Sequence, residues 1–197
     1  RYRSAPPDGL RARRRHRAVT TLEVRTAAGL SLPSPGKLAG YAAVFDSPAD
    51  MGAFVEVVRQ GTFTRSLQQA GRIVALYDHE RRSILGRVSA GTLRLHEDRH
   101  GLAFEVDLPD TTVGRDLAVL VQRGDVAGCS FGFVVPPGGD RWERRADKPL
   151  RELHTVELHE ITITSAPAYA DTTVAVRCMP SYYADALRVQ RLWFETV

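Results

Sequence analysis

The sequence has little cysteine, no long apolar run and no phosphate-binding loop, and each absence excludes a class of protein. Its 197 residues include only Cys129 and Cys178, too few for a disulfide framework or a cysteine metal cluster. No apolar run approaches the roughly 20 residues that cross a bilayer, and none follows the basic N-terminus as in a secretory signal. The motifs GxGxxG and GxxxxGK[ST] are absent, and the acidic residues lack metal-ligand spacing. The sequence therefore predicts a protein of a reducing compartment, with no membrane span, metal or organic cofactor.

Positive charge is concentrated at the N-terminus. Residues 1–17 contain seven arginines and one aspartate, whereas the whole chain has a formal net charge of +4, so the remainder carries a small negative charge. Residues 1–18 also lack apolar periodicity, which predicts a basic, disordered leader. Such a leader is either simply solvated, the preferred interpretation, or it binds an acidic partner. Nucleic acid is expected as a partner only through this leader.

The remaining sequence predicts one domain over residues 19–180, followed by a C-terminal helix and tail over 181–197. Short segments rich in alternating or β-branched residues predict strands, and the stripe of Val113, Leu117, Leu120 and Val121 predicts an amphipathic helix. Many short strands with few helices are typical of a β-barrel or sandwich with peripheral helices. Strands are predicted at 20–26, 38–45, 54–61, 72–79, within 84–98, at 101–109, 129–135 and 151–165, helices at 62–70 and from Thr111 or Thr112 to Arg123, and a loop at 27–37.

Ser130 and His79 are the candidate nucleophile and base. Ser130 lies in a predicted strand between Gly128 and Gly132, so its strand face carries little side-chain bulk and a substrate backbone can approach. His79 follows the apolar run 73–77 and is expected where a buried strand leaves the core. A serine hydroxyl needs a base to take its proton, and a histidine that titrates near neutrality suits that role.

A third group usually orients the histidine, and the strand 156–164 offers Glu157, His159 and Glu160 for that position. Asp78 is less suitable, because adjacent strand residues point to opposite faces. Cys129 is a rival nucleophile, although a small buried apolar role suits it better. The letters from Gly128 to Gly132 match the esterase motif GxSxG, but the helix that should follow the serine is missing.

Seven segments also occur in the order found in a known enzyme family. Residues 38–177 resemble the prohead proteases of tailed bacteriophages, which look like relatives of the herpesvirus assemblin serine proteases. The Ser-Phe-Gly-Phe stretch from Ser130 and the strand that ends in Ser-Ala-Pro-Ala-Tyr are the most specific matches. The matching segments are GYAAVF (40–45), QGTFTRSL (60–67), DHE (78–80), GRV (86–88), GL (101–102), RGDVAGCSFGF (123–133) and LHEITITSAPAY (158–169).

The resemblance implies a mainly β fold with peripheral helices (α+β) around a closed β-barrel of the herpesvirus-protease type. It implies a catalytic triad of His79, Ser130 and Glu160, because Glu160 matches the acidic residue of the phage enzymes, with Glu157 and His159 as alternatives. Oxyanion donors are expected near 165–168, where Pro167 has no N–H and the arginines of the herpesvirus pattern are absent.

The function implied by the resemblance is serine endopeptidase activity during phage prohead maturation. The substrates would be extensions of the major capsid protein or scaffold, and the enzyme itself, inside the assembling prohead in the host bacterial cytoplasm. A homodimer is expected from the same resemblance. The alternative is a non-catalytic module that binds scaffold or capsid protein through the basic leader.

Overall fold

The computed structural model of the protein describes residues 22–165, which form three β-sheets and two α-helices. The leader predicted at 1–18 and the helix predicted at 181–197 lie outside these residues. Within them, no helix has the length and apolar character needed to cross a membrane. The elements are β1 (Glu23–Ala28), β2 (Ser31–Ser34), β3 (Lys37–Val44), β4 (Ala49–Asp50), β5 (Val55–Val58), α1 (Thr64–Leu67), β6 (Val74–Tyr77), β7 (Glu80–Arg87), β8 (Leu93–Glu97), β9 (Gly101–Asp107), α2 (Thr112–Arg123), β10 (Gly128–Val134), β11 (Asp140–Glu143), β12 (Leu150–Leu153) and β13 (Glu157–Thr164).

The strands form three open sheets, so the prediction of a closed barrel is wrong. The first sheet has the order β1-β10-β13-β6-β7, the second β2-β3-β9-β8 and the third β11-β12-β5-β4. β1 and β7 are the two edges of the first sheet, and no pairing between described strands joins them. The prediction of a mainly β chain with few helices is confirmed. Closure depends on hydrogen bonds between distant edge strands, which local hydrophobic patterns do not specify.

One face of strands β10 and β13 in the first sheet packs against the hydrophobic core. Cys129, Phe131, Ile161 and Ile163 alternate along the two strands and are buried. The Phe131 ring meets Phe63 edge to face, with ring centroids 5.4 Å apart. Because successive strand residues point to opposite faces, the even-numbered residues between them face the other side of the sheet.

The helix predicted from the apolar stripe is confirmed as α2, and both of its ends are capped. The hydroxyl of Thr111 accepts a hydrogen bond from the N–H of Gly114 at 3.3 Å and caps the N-terminus. Gly124 ends the helix in the left-handed region, with φ 81°. Leu117 is fully buried, so the apolar face of α2 packs on the core.

Two predicted segments differ in the structure. The helix predicted at 62–70 is reduced to the single turn α1, followed by a 3₁₀ turn at Ala70–Arg72. The long strand predicted at 151–165 divides into β12 in the third sheet and β13 in the first. Between them, the N–H groups of His154 and Thr155 both donate to the carbonyl of Gly139, which holds the chain as it passes between sheets.

A buried ion cluster joins the first sheet to the third. Arg151 on β12 donates to Glu23 at 2.6 Å and to Glu56 at 3.1 Å, and Arg25 on β1 donates to Glu56 at 2.5 Å. Burial lowers the pKa of Arg151, but Glu23, Glu56 and Asp140 outweigh that effect and leave its pKa raised. The guanidinium therefore stays charged and neutralises two buried carboxylates.

We expect Arg151→Ala to lower the free energy of unfolding by about 3–5 kcal/mol, because it leaves buried Glu23 and Glu56 short of a partner. Urea denaturation measures the loss. Arg115→Ala is the matched control, since Arg115 pairs with Asp110 on the exposed surface and its loss should leave the midpoint unchanged. Equal midpoints for the two variants would show that the cluster contributes no stability.

Candidate active site

Ser130 lies on the face of the first sheet opposite the core. It is paired with Thr162 of β13, and Gly132 is paired with Glu160 in the same antiparallel ladder. Side chains directly opposite each other in such a ladder share a face, so Ser130, Thr162 and Glu160 lie on one face. Ser130 and Glu160 are diagonal neighbours on that face, separated by one intervening pair. Ser130 is fully buried. Its hydroxyl is therefore not exposed to solvent.

His79 lies in a tight turn rather than at the end of a strand. Tyr77 pairs with Glu80, so Asp78 and His79 form a two-residue hairpin loop, with φ values of 49° and 59°. Left-handed backbone costs a residue with a Cβ roughly 1–2 kcal/mol, and glycine or asparagine usually occupies such turns. The N–H of Asp78 donates to the carbonyl of Ile163 at 2.9 Å, which ties the turn to β13. Strain of this kind is concentrated at functional sites.

The imidazole of His79 contacts the carboxylate of Glu160. The two atoms, His79 Nδ1 and Glu160 Oε1, are 2.8 Å apart, and the His79 side chain is 35% exposed. A carboxylate accepts hydrogen bonds, so Nδ1 carries the proton and Nε2 is left as the basic nitrogen. The Thr162 hydroxyl also donates a long hydrogen bond to the same Oε1, at 3.5 Å.

The alternatives for the third group lie elsewhere. Along β13, Glu157 and His159 are exposed, whereas Glu160 is buried with 8% exposure. Asp78 is exposed in the turn and is not bonded to the His79 ring. Among these acids, Glu160 is the one that meets His79.

Gly132 provides the space that the Glu160 side chain occupies. A Cβ on Gly132 would lie 2.8 Å from Glu160 Cγ and 3.4 Å from its Oε1. The sequence explained this glycine by the approach of a substrate backbone, and the structure adds an approach by Glu160. Thr162 was missed, although its position two residues after Glu160 puts it on the same strand face.

We expect Gly132→Ala to lower kcat for peptide cleavage by about 10²-fold with the fold intact, because the new methyl displaces Glu160 and misplaces His79. Gly71→Ala is the control, since a Cβ there meets nothing within 4 Å. Steady-state kinetics and a thermal unfolding curve for each variant separate the two effects. Wild-type activity in Gly132→Ala would mean that the position of Glu160 is irrelevant to the reaction.

Cys129, the rival nucleophile, faces the core. It is fully buried, and burial raises the pKa of its thiol far above the usual value. A buried, protonated thiol neither attacks a carbonyl nor reaches one.

Of the segment expected to supply oxyanion donors, Ser165 ends the described chain after β13, and residues 166–168 lie outside it. Within residues 22–165, no three His, Cys, Asp or Glu side chains converge to hold a metal ion.

The comparisons with known proteins place the chain in a family. The sequence model of the caudovirus prohead serine proteases matches residues 21–183. The chain belongs to this prohead protease family. The match spans β1 to β13 and includes Ser130, His79 and Glu160. No curated protein matches the sequence.

One solved structure similar to this prohead protease is the capsid assembly protease gp21 of bacteriophage T4. The two chains superpose with a TM-score of 0.51 at 8% sequence identity, over 76% of this chain and 99% of that one. At that identity the likeness establishes the fold alone.

Proposed function

We propose that the chain is a serine endopeptidase in which Ser130 is the nucleophile, His79 the general base and Glu160 the group that orients His79. The observation that carries this assignment is the bond of 2.8 Å between His79 Nδ1 and Glu160 Oε1, on the face of the first sheet that also carries Ser130. Membership of a serine protease family supports the same reaction.

The proposed reaction proceeds through an acyl-enzyme. Nε2 of His79 takes the proton of the Ser130 hydroxyl while the serine oxygen attacks the substrate carbonyl carbon. The resulting imidazolium then gives that proton to the leaving amine as the C–N bond breaks. Water repeats both steps and releases the acyl group from Ser130. Glu160 and Thr162 hold the imidazole in place, and the negative carboxylate stabilises the imidazolium.

The reaction requires an opening step, because Ser130 is fully buried while His79 is partly exposed. A buried nucleophile keeps the protease latent until the site opens, and motions of this kind limit many turnover rates. A homodimer is one arrangement that could hold the open form.

The proposed substrates are extensions of the major capsid protein or scaffold, and the protease itself, within the prohead that assembles in the host cytoplasm. Support comes from the family description, which names the prohead, and from the fold shared with a capsid assembly protease.

The first experiment is to produce the chain together with the capsid and scaffold proteins of its phage and to identify new N-termini by mass spectrometry. The proposal predicts new termini with the wild type and with the exposed control Ser89→Ala, and none with Ser130→Ala. Identical termini with Ser130→Ala would refute it. A small ester assayed in parallel distinguishes a peptidase from an esterase.

The same experiment tests the alternative of a binding module that uses the basic leader. That alternative predicts that Ser130→Ala preserves prohead assembly and that deletion of residues 1–17 destroys it. The peptidase proposal predicts the reverse.

A further inference from the structure

We infer that a basic cleft beside Glu160 binds an acidic side chain of the substrate, about three residues from the bond that is cut. This inference rests on the proposed function, and it adds a specificity site to it. The cleft, called the arginine cleft below, has a volume of about 360 Å³ and is lined by Arg72, Val74, Leu76, Arg81, Ile84, Arg87, His159 and Glu160.

The arginine cleft has a mainly polar surface, to which three arginines and three apolar residues contribute. Val74, Leu76 and Ile84 come from the neighbouring strands β6 and β7, and Leu76 is buried. Of the described residues that line the cleft, Glu160 alone has a carboxylate, and it bonds to His79. The charge of the cleft is therefore positive, which suits a side chain with a terminal carboxylate.

The arginines of the cleft have no partner among the described residues. Arg72, Arg81 and Arg87 make no side-chain hydrogen bond or ion pair within residues 22–165, whereas Arg94 and Arg59 each pair with two carboxylates. Positive charges that line one cleft repel one another, and an anion bound in the cleft offsets that repulsion. A guanidinium group can donate two parallel hydrogen bonds to one carboxylate, so the arginine side chains of the cleft are suited to bind a carboxylate.

The sheet register gives the distance from the cleft to Ser130. Ser130 is opposite Thr162, Thr162 is opposite Leu76, and Leu76 is opposite Ile84. Adjacent strands are about 4.8 Å apart, so Ser130 and Leu76 are separated by roughly 10 Å. An extended peptide advances about 3.3 Å per residue, so a side chain in the cleft belongs about three positions from the scissile bond.

An acidic peptide fits these observations better than nucleic acid. The cleft adjoins the proposed triad at Glu160 and has a volume of about 360 Å³. A nucleic-acid site follows the phosphate backbone with a longer basic groove and stacks bases on aromatic rings. Among the described residues that line this cleft, none is Phe, Tyr or Trp.

Cleavage profiling tests the specificity. The full chain is incubated with a peptide library derived from a bacterial proteome, and cut sites are read by mass spectrometry. We expect Asp or Glu to be enriched two to four residues from the cut bond. We expect Arg87→Gln and Arg81→Gln to lower kcat/KM for those peptides tenfold or more, with cleavage of peptides that lack the acid unchanged. Arg99→Gln, an exposed arginine outside the cleft, is the control. Cleavage without acidic enrichment, or enrichment that survives in the cleft variants, would overturn this inference and leave the proposed peptidase function standing.

A binding assay keeps the inference testable when no peptide is cut. Fluorescein-labelled hexaglutamate and hexaglutamine are titrated with the Ser130→Ala chain, and anisotropy is read at physiological salt. The inference predicts tighter binding of hexaglutamate and its loss in Arg87→Glu. Equal binding of the two peptides, or tighter binding of single-stranded DNA that the same variant abolishes, would overturn it. Absence of cleavage together with arginine-dependent binding of hexaglutamate would overturn the proposed function and leave the cleft assignment standing.

Discussion

Ser130→Ala is expected to lower kcat for peptide cleavage on the order of 10⁶-fold, and His79→Ala by a similar factor. The hydroxyl and the base act in the same proton transfer, so removal of either removes the transfer. The double variant should therefore be no slower than Ser130→Ala alone. Rates are read as product formed per enzyme with the substrate identified by N-terminal mapping.

Ser89→Ala is the matched control for this prediction, because Ser89 is exposed in the turn between β7 and β8. The fold should persist in both active-site variants, which circular dichroism checks. Residual activity in Ser130→Ala above about one per cent of the wild type would exclude Ser130 as the nucleophile.

Glu160→Gln is expected to lower kcat about 10⁴-fold while the structure stays intact. The carboxylate accepts a hydrogen bond from Nδ1 of His79, which leaves the proton off Nε2. An amide at this position can donate to Nδ1 instead, which favours the tautomer with its proton on Nε2, and that tautomer cannot accept the serine proton. The loss should appear in kcat rather than in KM.

Glu157→Gln separates a specific effect of Glu160 from a general effect of charge on β13. Glu157 lies on the exposed face of the same strand, so this variant should retain wild-type kinetics. If Glu157→Gln lost activity and Glu160→Gln kept it, the third group of the site would be Glu157 rather than Glu160.

The sequence predicted those secondary-structure elements that depend only on residues close together in the chain. The apolar stripe of α2 and both of its ends are set within one segment: the helix ends at Arg123 as predicted, and Thr111, one of the two threonines predicted to start it, is the cap. The buried apolar role expected for Cys129 is likewise seen, because strand alternation turns it to the core and Ser130 to the opposite face. Candidate site residues could be selected from the sequence because each lies in a short segment whose residue pattern is recognisable without knowledge of its partners in the fold.

The sequence did not predict features that depend on distant pairing. Residues 27–37 were expected to be a loop because they contain prolines and serines, yet Ser31–Ser34 form strand β2. β2 is at the edge of the second sheet, where the missing N–H of Pro33 is tolerated. The closed barrel failed in the same way, because the separation between β1 and β7 follows from the pairing of the whole sheet.

The turn at His79 shows what sequence patterns miss around a site. An apolar run ending in Asp78-His79 favoured a continuous strand, but Tyr77 pairs with Glu80 and both intervening residues are left-handed. Glycine and asparagine are the usual signals for such a turn, and neither is present. The tie from Asp78 to Ile163 that fixes the turn comes from a strand more than eighty residues later.

The most direct test of the central claim is the covalent labelling of Ser130 by a serine-directed fluorophosphonate. The wild-type chain, Ser130→Ala and His79→Ala are incubated for long periods at low and high protein concentration, because the hydroxyl is buried and the site has to open. Intact mass and peptide mapping then identify the adduct. The account predicts a single adduct on Ser130 of the wild type that is absent from both variants. Failure to label at every concentration, or an adduct on another residue that His79→Ala leaves unchanged, would contradict it.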